Sequence, residues 1–201
     1  INVQTIKKIK YPIDIVVIGG DLTEKGVPLK RTKENIQTLA QLHAPIYFVW
    51  GNNDYEVQPE TLSKLLLEEN VTILTNIHNV IKRHHHTVTL YGLNHYEIEF
   101  NNRHDAIDTS ELKGDYTILL THVPHTYYQL KQDIQNEIDL VLAGHTHGGQ
   151  IRFLGLGMYQ KGGITKTRHT HILVSEGYGY TLLPFRLQTN AECHVITLKR
   201  M

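Results

Sequence analysis

Short apolar runs alternate with segments of helical periodicity along the first third of the chain. The runs at 13–18 and 46–50 are rich in β-branched and aromatic residues, which predicts buried strands. Between them, apolar residues recur every three or four positions over 28–43 and predict a helix. A second helix is predicted to begin at Pro59, because proline is favoured at the first helical position. This alternation is typical of a parallel sheet covered by helices.

The rest of the chain is richer in predicted strands. Apolar residues over 127–134 allow a further helix, whereas 101–114 is polar and predicts a surface loop with a short helix near 110–113. We expect a single α/β domain over 1–201, built from mixed strands with helices outside. The later predicted strands lie at 71–74, 80–82, 87–93, 116–120, 138–143, 151–154, 171–175 and 193–198.

The amino-acid composition limits the partners and ligands that the protein is expected to bind. The 201 residues carry 20 basic and 20 acidic side chains, so we expect no nucleic acid or other polyanion as partner. The single cysteine, Cys193, excludes a disulfide framework within the chain. No run approaches the ~18 consecutive apolar residues of a membrane span. Histidine is abundant, with 14 residues, and neutral imidazole is the commonest protein ligand for metals.

Five side chains able to bind a metal follow apolar runs: Asp21, Asn52, His122, His145 and His147. Each alone has a plainer interpretation, either a turn residue or a structural histidine at a strand end. Their joint occurrence at successive strand ends favours the metal interpretation, because sites gather beyond the carboxyl ends of parallel strands. A carboxylate, a carboxamide and imidazoles suit Mn²⁺, Fe or Zn²⁺ better than Mg²⁺ or Ca²⁺.

Four ordered motifs carry a resemblance to a known family. They are Gly-Asp at 20–21, Gly-Asn-Asn-Asp at 51–54, Thr-His-Val-Pro at 121–124 and Gly-His-Thr-His-Gly-Gly-Gln at 144–150. In this order they resemble the calcineurin-like metallophosphoesterases, above all the bacterial branch whose last motif continues as Gly-Gly-Gln-Ile-Arg, here 148–152. The segments 175–179 and 184–186 resemble the C-terminal part of that branch. The resemblance therefore spans nearly the whole chain.

The resemblance implies a four-layer fold, a two-sheet β-sandwich flanked by helices, which holds two divalent metal ions. Asp21 is then expected to bridge both ions, with Asn52, His122 and His145 completing the shell of one ion. His147 is expected to serve the other ion. Mn²⁺ is the first expectation, with Fe or Zn²⁺ as alternatives. The implied activity is phosphoester hydrolysis, in which the ions clamp phosphoryl oxygens and a hydroxide that bridges them attacks phosphorus.

One departure from the family pattern concerns the second ion. The family opens with an Asp-x-His motif that supplies two further ligands to the ion at His147, and this sequence contains no such motif. We expect the motif upstream of Ile1, together with a first strand and a segment for membrane association. If the chain begins at Ile1, a protein that binds a single metal ion is expected instead.

A second departure concerns the leaving group. Asn53 stands where the family usually has a histidine that protonates the leaving group and is steered by the aspartate at Asp54. An amide donates a hydrogen bond but cannot transfer a proton near pH 7, so a phosphodiester or pyrophosphate is favoured over a monoester. His125 is a candidate substitute acid at the substrate, and Arg186 is a candidate phosphate ligand. A surface or structural role is the alternative for Arg186.

The rival interpretation is a protein-interaction scaffold on the same fold with weakened catalysis, which Asn53 and the absent Asp-x-His motif favour. Five retained ligand positions favour the enzyme. The expected substrate is a small or lipid-linked phosphoester, in the cytoplasm or at a cell membrane, and the oligomeric state stays open. The remaining histidines have plainer roles: 84–86 predict a solvated strand edge or turn, and His95 either faces the pocket or is structural.

Overall fold

Two β-sheets organise the computed structural model, which describes residues 1–83, 85–99, 101, 107–180 and 183–199. The first sheet contains β1 (Val16–Ile18), β2 (Ile46–Phe48) and β3 (Val71–Ile73). Its strands are parallel and lie in the order β1-β2-β3. All three strands fall within predicted apolar runs.

The second sheet has six strands, of which five overlap predicted strands. They are β4 (Ile77–Arg83), β5 (His86–Leu93), β6 (Tyr116–Thr121), β7 (Leu140–Ala143), β8 (Gly163–Thr167) and β9 (Thr170–Val174). The order is β4-β5-β6-β7-β9-β8, with the four inner strands parallel and the two outer strands antiparallel to their neighbours. The sheet is therefore mixed, as expected.

Helices cover the outer faces of both sheets. They are α1 (Val3–Ile6), α2 (Leu29–Ala40), α3 (Asn52–Tyr55), α4 (Pro59–Glu68), α5 (His95–Glu99), α6 (His125–Gln129) and α7 (Gln132–Asn136), with 3-10 turns at Thr109–Leu112 and His147–Gly149. Pro59 occupies the start of α4, as predicted. Among the described residues, no helix combines the length and the apolarity needed to cross a membrane.

Three apolar cores separate these layers. The core between the two sheets joins Tyr47 and Val49, at and just after β2, to residues of β5, β6 and β7 such as Leu90. An outer core packs α2 and α4 against the first sheet, with Ile36 and Leu62 fully buried. The other outer core packs α5, α6 and α7 against the second sheet. The order helix, sheet, sheet, helix confirms the expected four-layer fold.

The strand β6 shows why the central strands read as continuous apolar runs. Ile118 and Leu120 face the core between the sheets, whereas Leu119 faces the core under the helices. Successive side chains of a strand point to opposite faces of the sheet. Because both faces of this sheet are covered, both sets of positions are apolar.

Two predicted strands are wrong. The segment 151–154 forms only isolated bridges, Ile151 to Leu187 and Phe153 to Leu156, because left-handed residues at Gln150 (φ 47°) and Leu154 (φ 50°) turn the chain. The segment 193–198 pairs with no strand of the described chain, and its apolar side chains stay half exposed. Apolar content alone could not show that these runs lack a partner strand.

Other elements differ in extent. The predicted helix over 127–134 is divided into α6 and α7, because Leu130 adopts an extended backbone (φ −68°, ψ 151°). The strand β8 was not predicted, since four of its five residues are exposed and its pattern does not alternate. His85 is exposed between β4 and β5, and His86 is exposed at the start of β5, in agreement with a strand edge or turn. His84 and positions 102–106 of the predicted loop lie outside the described residues.

Candidate metal centre

Four strand ends from both sheets meet at one place. β1 and β2 end shortly before Asp21 and Asn52, and β6 and β7 end before His122 and His145. A backbone bond from Gly144 N–H to the carbonyl of His122 (3.0 Å) ties the two loops of the second sheet together. Asp21, His122 and His145 each place a ligand atom within 4.8 Å of the others. Residues separated by more than a hundred positions thus form one cluster.

His122 lies at the centre of this cluster, with 1% of its side chain exposed. Its Nδ1 donates a hydrogen bond to the carbonyl of Gly19 at 2.7 Å, because a carbonyl can only accept. The neutral ring therefore carries its lone pair on Nε2, where a metal would bind. Around Nε2 lie Asn52 Oδ1 at 3.1 Å, His145 Nδ1 at 3.1 Å and Asp21 Oδ2 at 3.4 Å.

This convergence of acceptor atoms calls for a positive centre. The oxygens of Asp21 and Asn52 are acceptors, and one proton on Nε2 of His122 can satisfy only one neighbour well. Ligands at ~2.1 Å from an octahedral ion lie ~3 Å apart, which is close to the separations around Nε2. The mixed set of oxygen and nitrogen donors therefore fits a divalent transition-metal ion.

Without an ion, Asp21 and His122 form a charge pair. Burial by itself would raise the pKa of Asp21, but the hydrogen bond and charge of His122 outweigh burial and hold this pKa below its ordinary value. Burial would likewise lower the pKa of His122, whereas Asp21 holds it above its ordinary value. At His145, burial and then the charge of His122 lower the pKa. Asp21 therefore favours a proton on His122 when no cation is bound.

Asn53 fixes the carboxylate of Asp21. Its backbone N–H donates to Oδ1 of Asp21 at 2.9 Å, and its Nδ2 donates to Oδ2 at 3.0 Å. The side chain of Asn53 is in turn oriented by Nδ2 of Asn52, which donates to its Oδ1 at 3.1 Å. Asn53, predicted as a catalytic residue that stabilises charge on the phosphoryl oxygens, here contacts the candidate metal ligand Asp21.

Asp54 ties the loops after β1 and β2 to each other. Its carboxylate is fully buried and accepts backbone N–H bonds from Asp21 (2.7 Å), Gly51 (2.9 Å) and Thr23 (3.0 Å). Burial raises the pKa of Asp54 to about 6, although the N–H bonds from Gly51 and Thr23 oppose this rise. Its contacts make Asp54 a positioning residue for Asp21.

The backbone around the cluster is strained. Asp21, His145 and His147 have positive φ values of 52°, 67° and 48°, a region that side chains with a Cβ seldom occupy. Such strain concentrates at functional sites, where the surrounding structure enforces it. Gly20 (φ 88°) approaches so closely that a Cβ would lie 2.6 Å from Nδ1 of His122 and 2.7 Å from the Gly51 nitrogen.

His147 stands apart from the cluster. Its Nδ1 lies 3.2 Å from Nη2 of Arg186, and burial followed by the charge of Arg186 lowers its pKa. The guanidinium of Arg186 also donates to the carbonyls of His147 (3.2 Å), Glu176 (2.7 Å) and Gly177 (3.1 Å). Arg186, predicted as a phosphate ligand or a surface or structural arginine, thus donates to groups of the chain itself.

Two further histidines have clear positions. His125 is exposed at the first position of α6, with its ring centroid 6.4 Å from that of Tyr128. His95 is 2% exposed, its ring centroid lies 5.4 Å from that of His122, and its Nδ1 has no hydrogen-bond partner in the described part of the chain. Burial, then the charges of His122 and His145, lower the pKa of His95 to about 4. In the sequence, the only sign that His95 lies near the metal centre was its position shortly after the predicted strand 87–93.

Comparison with known proteins is consistent with this centre. The model of the calcineurin-like phosphoesterase family matches residues 2–149. The Bacillus subtilis (strain 168) protein YpbG is 40% identical over 184 residues, which cover 92% of this chain and 70% of that protein. The Danio rerio transmembrane protein with metallophosphoesterase domain is 32% identical over 93% of this chain, but the match covers 46% of its own length.

Solved structures show the same fold at low identity. A putative 5'-nucleotidase from Staphylococcus aureus superposes with a TM-score of 0.61 at 13% identity, over 86% of this chain and 42% of that protein. At such identity the likeness concerns the fold alone. Apart from the Bacillus protein, the chain spans about half or less of each of these relatives.

Proposed function

Since the chain belongs to the calcineurin-like phosphoesterases, we propose that it hydrolyses phosphodiesters or pyrophosphates with two divalent ions, Mn²⁺ in the first place. The observation that carries the proposal is the convergence of acceptor atoms around Nε2 of His122, 3.1–3.4 Å away. Divalent ions in such a centre neutralise phosphoryl oxygens and make water a nucleophile near neutral pH.

The first ion would be held by Asp21, Asn52, His122 and His145. Nδ1 of His122 donates to the Gly19 carbonyl, which orients the ring and leaves Nε2 to the ion. The second ion would share Asp21 and use His147, with water, substrate or ligands outside the described residues completing its shell. Oxygen and imidazole donors together favour Mn²⁺ over Mg²⁺.

The choice of substrate follows from Asn53. Its amide can donate a hydrogen bond to a phosphoryl or leaving oxygen but has no proton to transfer. General acid catalysis is typically worth ~10²–10⁴-fold, so substrates that need it would react slowly. A diester or pyrophosphate with a stable leaving group suffers less. His125, the candidate substitute acid, is exposed at the start of α6 and would have to turn toward the bound leaving group to protonate it.

The test measures metal content and hydrolysis of bis-p-nitrophenyl phosphate with and without added Mn²⁺. Mn²⁺-dependent turnover that is lost in Asp21→Ala and His145→Ala is the expected result. His78→Ala is the matched control, because His78 is exposed on β4. A folded protein without metal or turnover would refute the proposal and favour the rival, an interaction module on the same fold.

A further inference from the structure

A tight turn directly after the last metal-site motif presents large apolar side chains to water. Backbone bonds from Phe153 N–H to the Leu156 carbonyl (2.8 Å) and from Leu156 N–H to the Phe153 carbonyl (2.9 Å) close it. Phe153, Leu154, Leu156 and Met158, hereafter the apolar turn, are 72%, 80%, 78% and 86% exposed. Single exposed apolar residues are ordinary, but a cluster of this kind marks an interaction surface.

The exposure of the apolar turn is built into the structure. Arg152 donates from Nη1 to the carbonyls of Gly148 (2.9 Å) and Tyr159 (2.7 Å), and so spans the base of the turn. Gly155 N–H donates to Oε1 of Gln188 at 3.0 Å, which fastens the tip to the C-terminal segment. The side chains therefore project from a braced backbone.

The charged residues along the chain on either side of the apolar turn are all basic. Positions 140–175 contain no aspartate or glutamate, although the whole chain carries 20 acidic and 20 basic residues. Within this stretch Lys161, Lys166 and Arg168 are exposed, on and beside β8. An exposed apolar turn followed along the chain by exposed cations complements a membrane surface with anionic head groups, where each lysine or arginine adds to binding.

The same stretch also forms part of the candidate metal centre. It begins with the motif that contains His145 and His147, and the ring centroid of Tyr159 lies 6.2 Å from that of His145. Arg152 links the apolar turn to Gly148 of the motif. A bilayer that receives the apolar turn would therefore lie beside the metal centre.

We propose that the apolar turn and the cations at 161, 166 and 168 dock the protein onto an anionic lipid bilayer, so that the metal centre faces phosphoesters at the lipid surface. The apolar side chains enter the boundary between head groups and acyl chains, and the cations contact lipid phosphates. The statement on substrate rests on the proposed function, whereas the docking surface stands without it.

The test is sedimentation of the 201-residue chain with vesicles of phosphatidylcholine, alone or mixed equally with phosphatidylglycerol. The first variant combines Phe153→Ser, Leu154→Ser and Leu156→Ser, and the second combines Lys161→Glu and Lys166→Glu. A matched control combines Tyr11→Ser and Leu67→Ser, since these side chains are 75% and 65% exposed elsewhere in the chain.

We expect the wild type to bind the mixed vesicles best. The serine variant should bind both vesicle types about tenfold or more weakly, and the glutamate variant should lose the preference for phosphatidylglycerol. The control should bind within about twofold of the wild type. Binding that is absent in the wild type, or that the control loses equally, would overturn the proposal. If the wild type is a dimer and the serine variant is a monomer, the apolar turn contacts a second copy of the chain. This outcome would also overturn the proposal.

Hydrolysis of soluble bis-p-nitrophenyl phosphate by the same samples separates the two proposals. If the serine variant loses vesicle binding but hydrolyses the soluble ester at the wild-type rate, the docking surface is supported and the metal centre is intact. Vesicle binding without turnover in any form would refute the proposed hydrolase and support the docking surface alone.

Discussion

Arg186 donates from Nη2 to Nδ1 of His147 at 3.2 Å and from Nη1 to the carbonyl of the same residue, also at 3.2 Å. A guanidinium has no acceptor, so Nδ1 must supply the lone pair. The proton of the neutral His147 ring then lies on Nε2, and neither ring nitrogen offers a free lone pair to a metal. His147 can bind an ion only if this contact rearranges.

Removing Arg186 should therefore strengthen the weaker of two metal sites. In Mn²⁺ titrations of the wild type we expect a tight first ion and a weaker second ion. Arg186→Gln frees Nδ1 of His147 and removes a positive charge, which should tighten the second ion about fivefold, or ~1 kcal/mol. Isothermal titration calorimetry measures both steps.

Arg152→Gln is the control for that variant. Arg152 also bonds carbonyls of the chain, those of Gly148 and Tyr159 among them, but the structure gives it no contact with His147. It should leave the second ion unchanged. Equal effects of the two variants would show that the contact between Arg186 and His147 does not limit metal binding.

Gly20 should be the glycine that the metal centre tolerates least. Gly20 and Gly26 have nearly equal positive φ angles of 88° and 87°, but of the two only Gly20 would bring a Cβ against His122 and Gly51. Both alanine variants should lose ~1 kcal/mol of unfolding free energy to backbone strain. Gly20→Ala should in addition weaken the first Mn²⁺ ion more than tenfold, as His122 is displaced.

Urea unfolding and Mn²⁺ titration of the two variants separate strain from displacement. Gly26→Ala has open space around its Cβ and should keep the metal affinity of the wild type. A Gly20→Ala protein with wild-type Mn²⁺ affinity would contradict the close packing of Gly20 on His122.

Metal affinity should rise with pH. Because Asp21 raises the pKa of His122, the ring holds its proton to higher pH than an ordinary histidine, and an ion must displace this proton to bind. Affinity for Mn²⁺ should therefore increase above about pH 6.5, and binding should release about one proton per first ion. Calorimetry in two buffers of different ionisation enthalpy counts the released protons. A Mn²⁺ affinity that does not depend on pH would contradict the charge pair between Asp21 and His122.

In the absence of metal, the free energy of unfolding should fall as the pH rises. A raised pKa of His122 means that the folded state binds the proton more tightly than the unfolded chain. This contribution to stability is complete below the unfolded value near 6.5 and is lost as pH rises through the folded pKa. Saturating Mn²⁺ should remove the loss, as urea unfolding at several pH values would show.

Restoring a histidine at position 53 should accelerate hydrolysis where the leaving group is poor. Asn53→His supplies a transferable proton, so turnover of an alkyl phosphodiester should rise about tenfold or more, while the p-nitrophenyl ester should change little. Asn53→Gln has the amide but no such proton and is the control. Equal gains with both esters would indicate an effect on Asp21, which Asn53 positions.

Local patterns were enough to place most of the elements. The run 46–50, and 116–120 apart from Thr117, are apolar because both faces of their sheet are covered, and this signal is visible without the partner strands. The segments 151–154 and 193–198 have similar apolar content but no ladder, since pairing depends on a distant partner. The strand β8 shows the converse case. It pairs with β9, but four of its five residues are exposed, so its sequence lacks the apolar pattern that predicts a strand.

The sequence by itself determined which chemical groups follow each strand, and hence the family, because motif order and ligand types are local properties of the chain. Only the tertiary structure decided how these groups combine. It placed Asn52 and His145 against His122, turned Arg186 onto His147 and buried His95 beside the cluster. These relations depend on how two sheets pack and on backbone angles at strand ends, which residue identity alone does not specify.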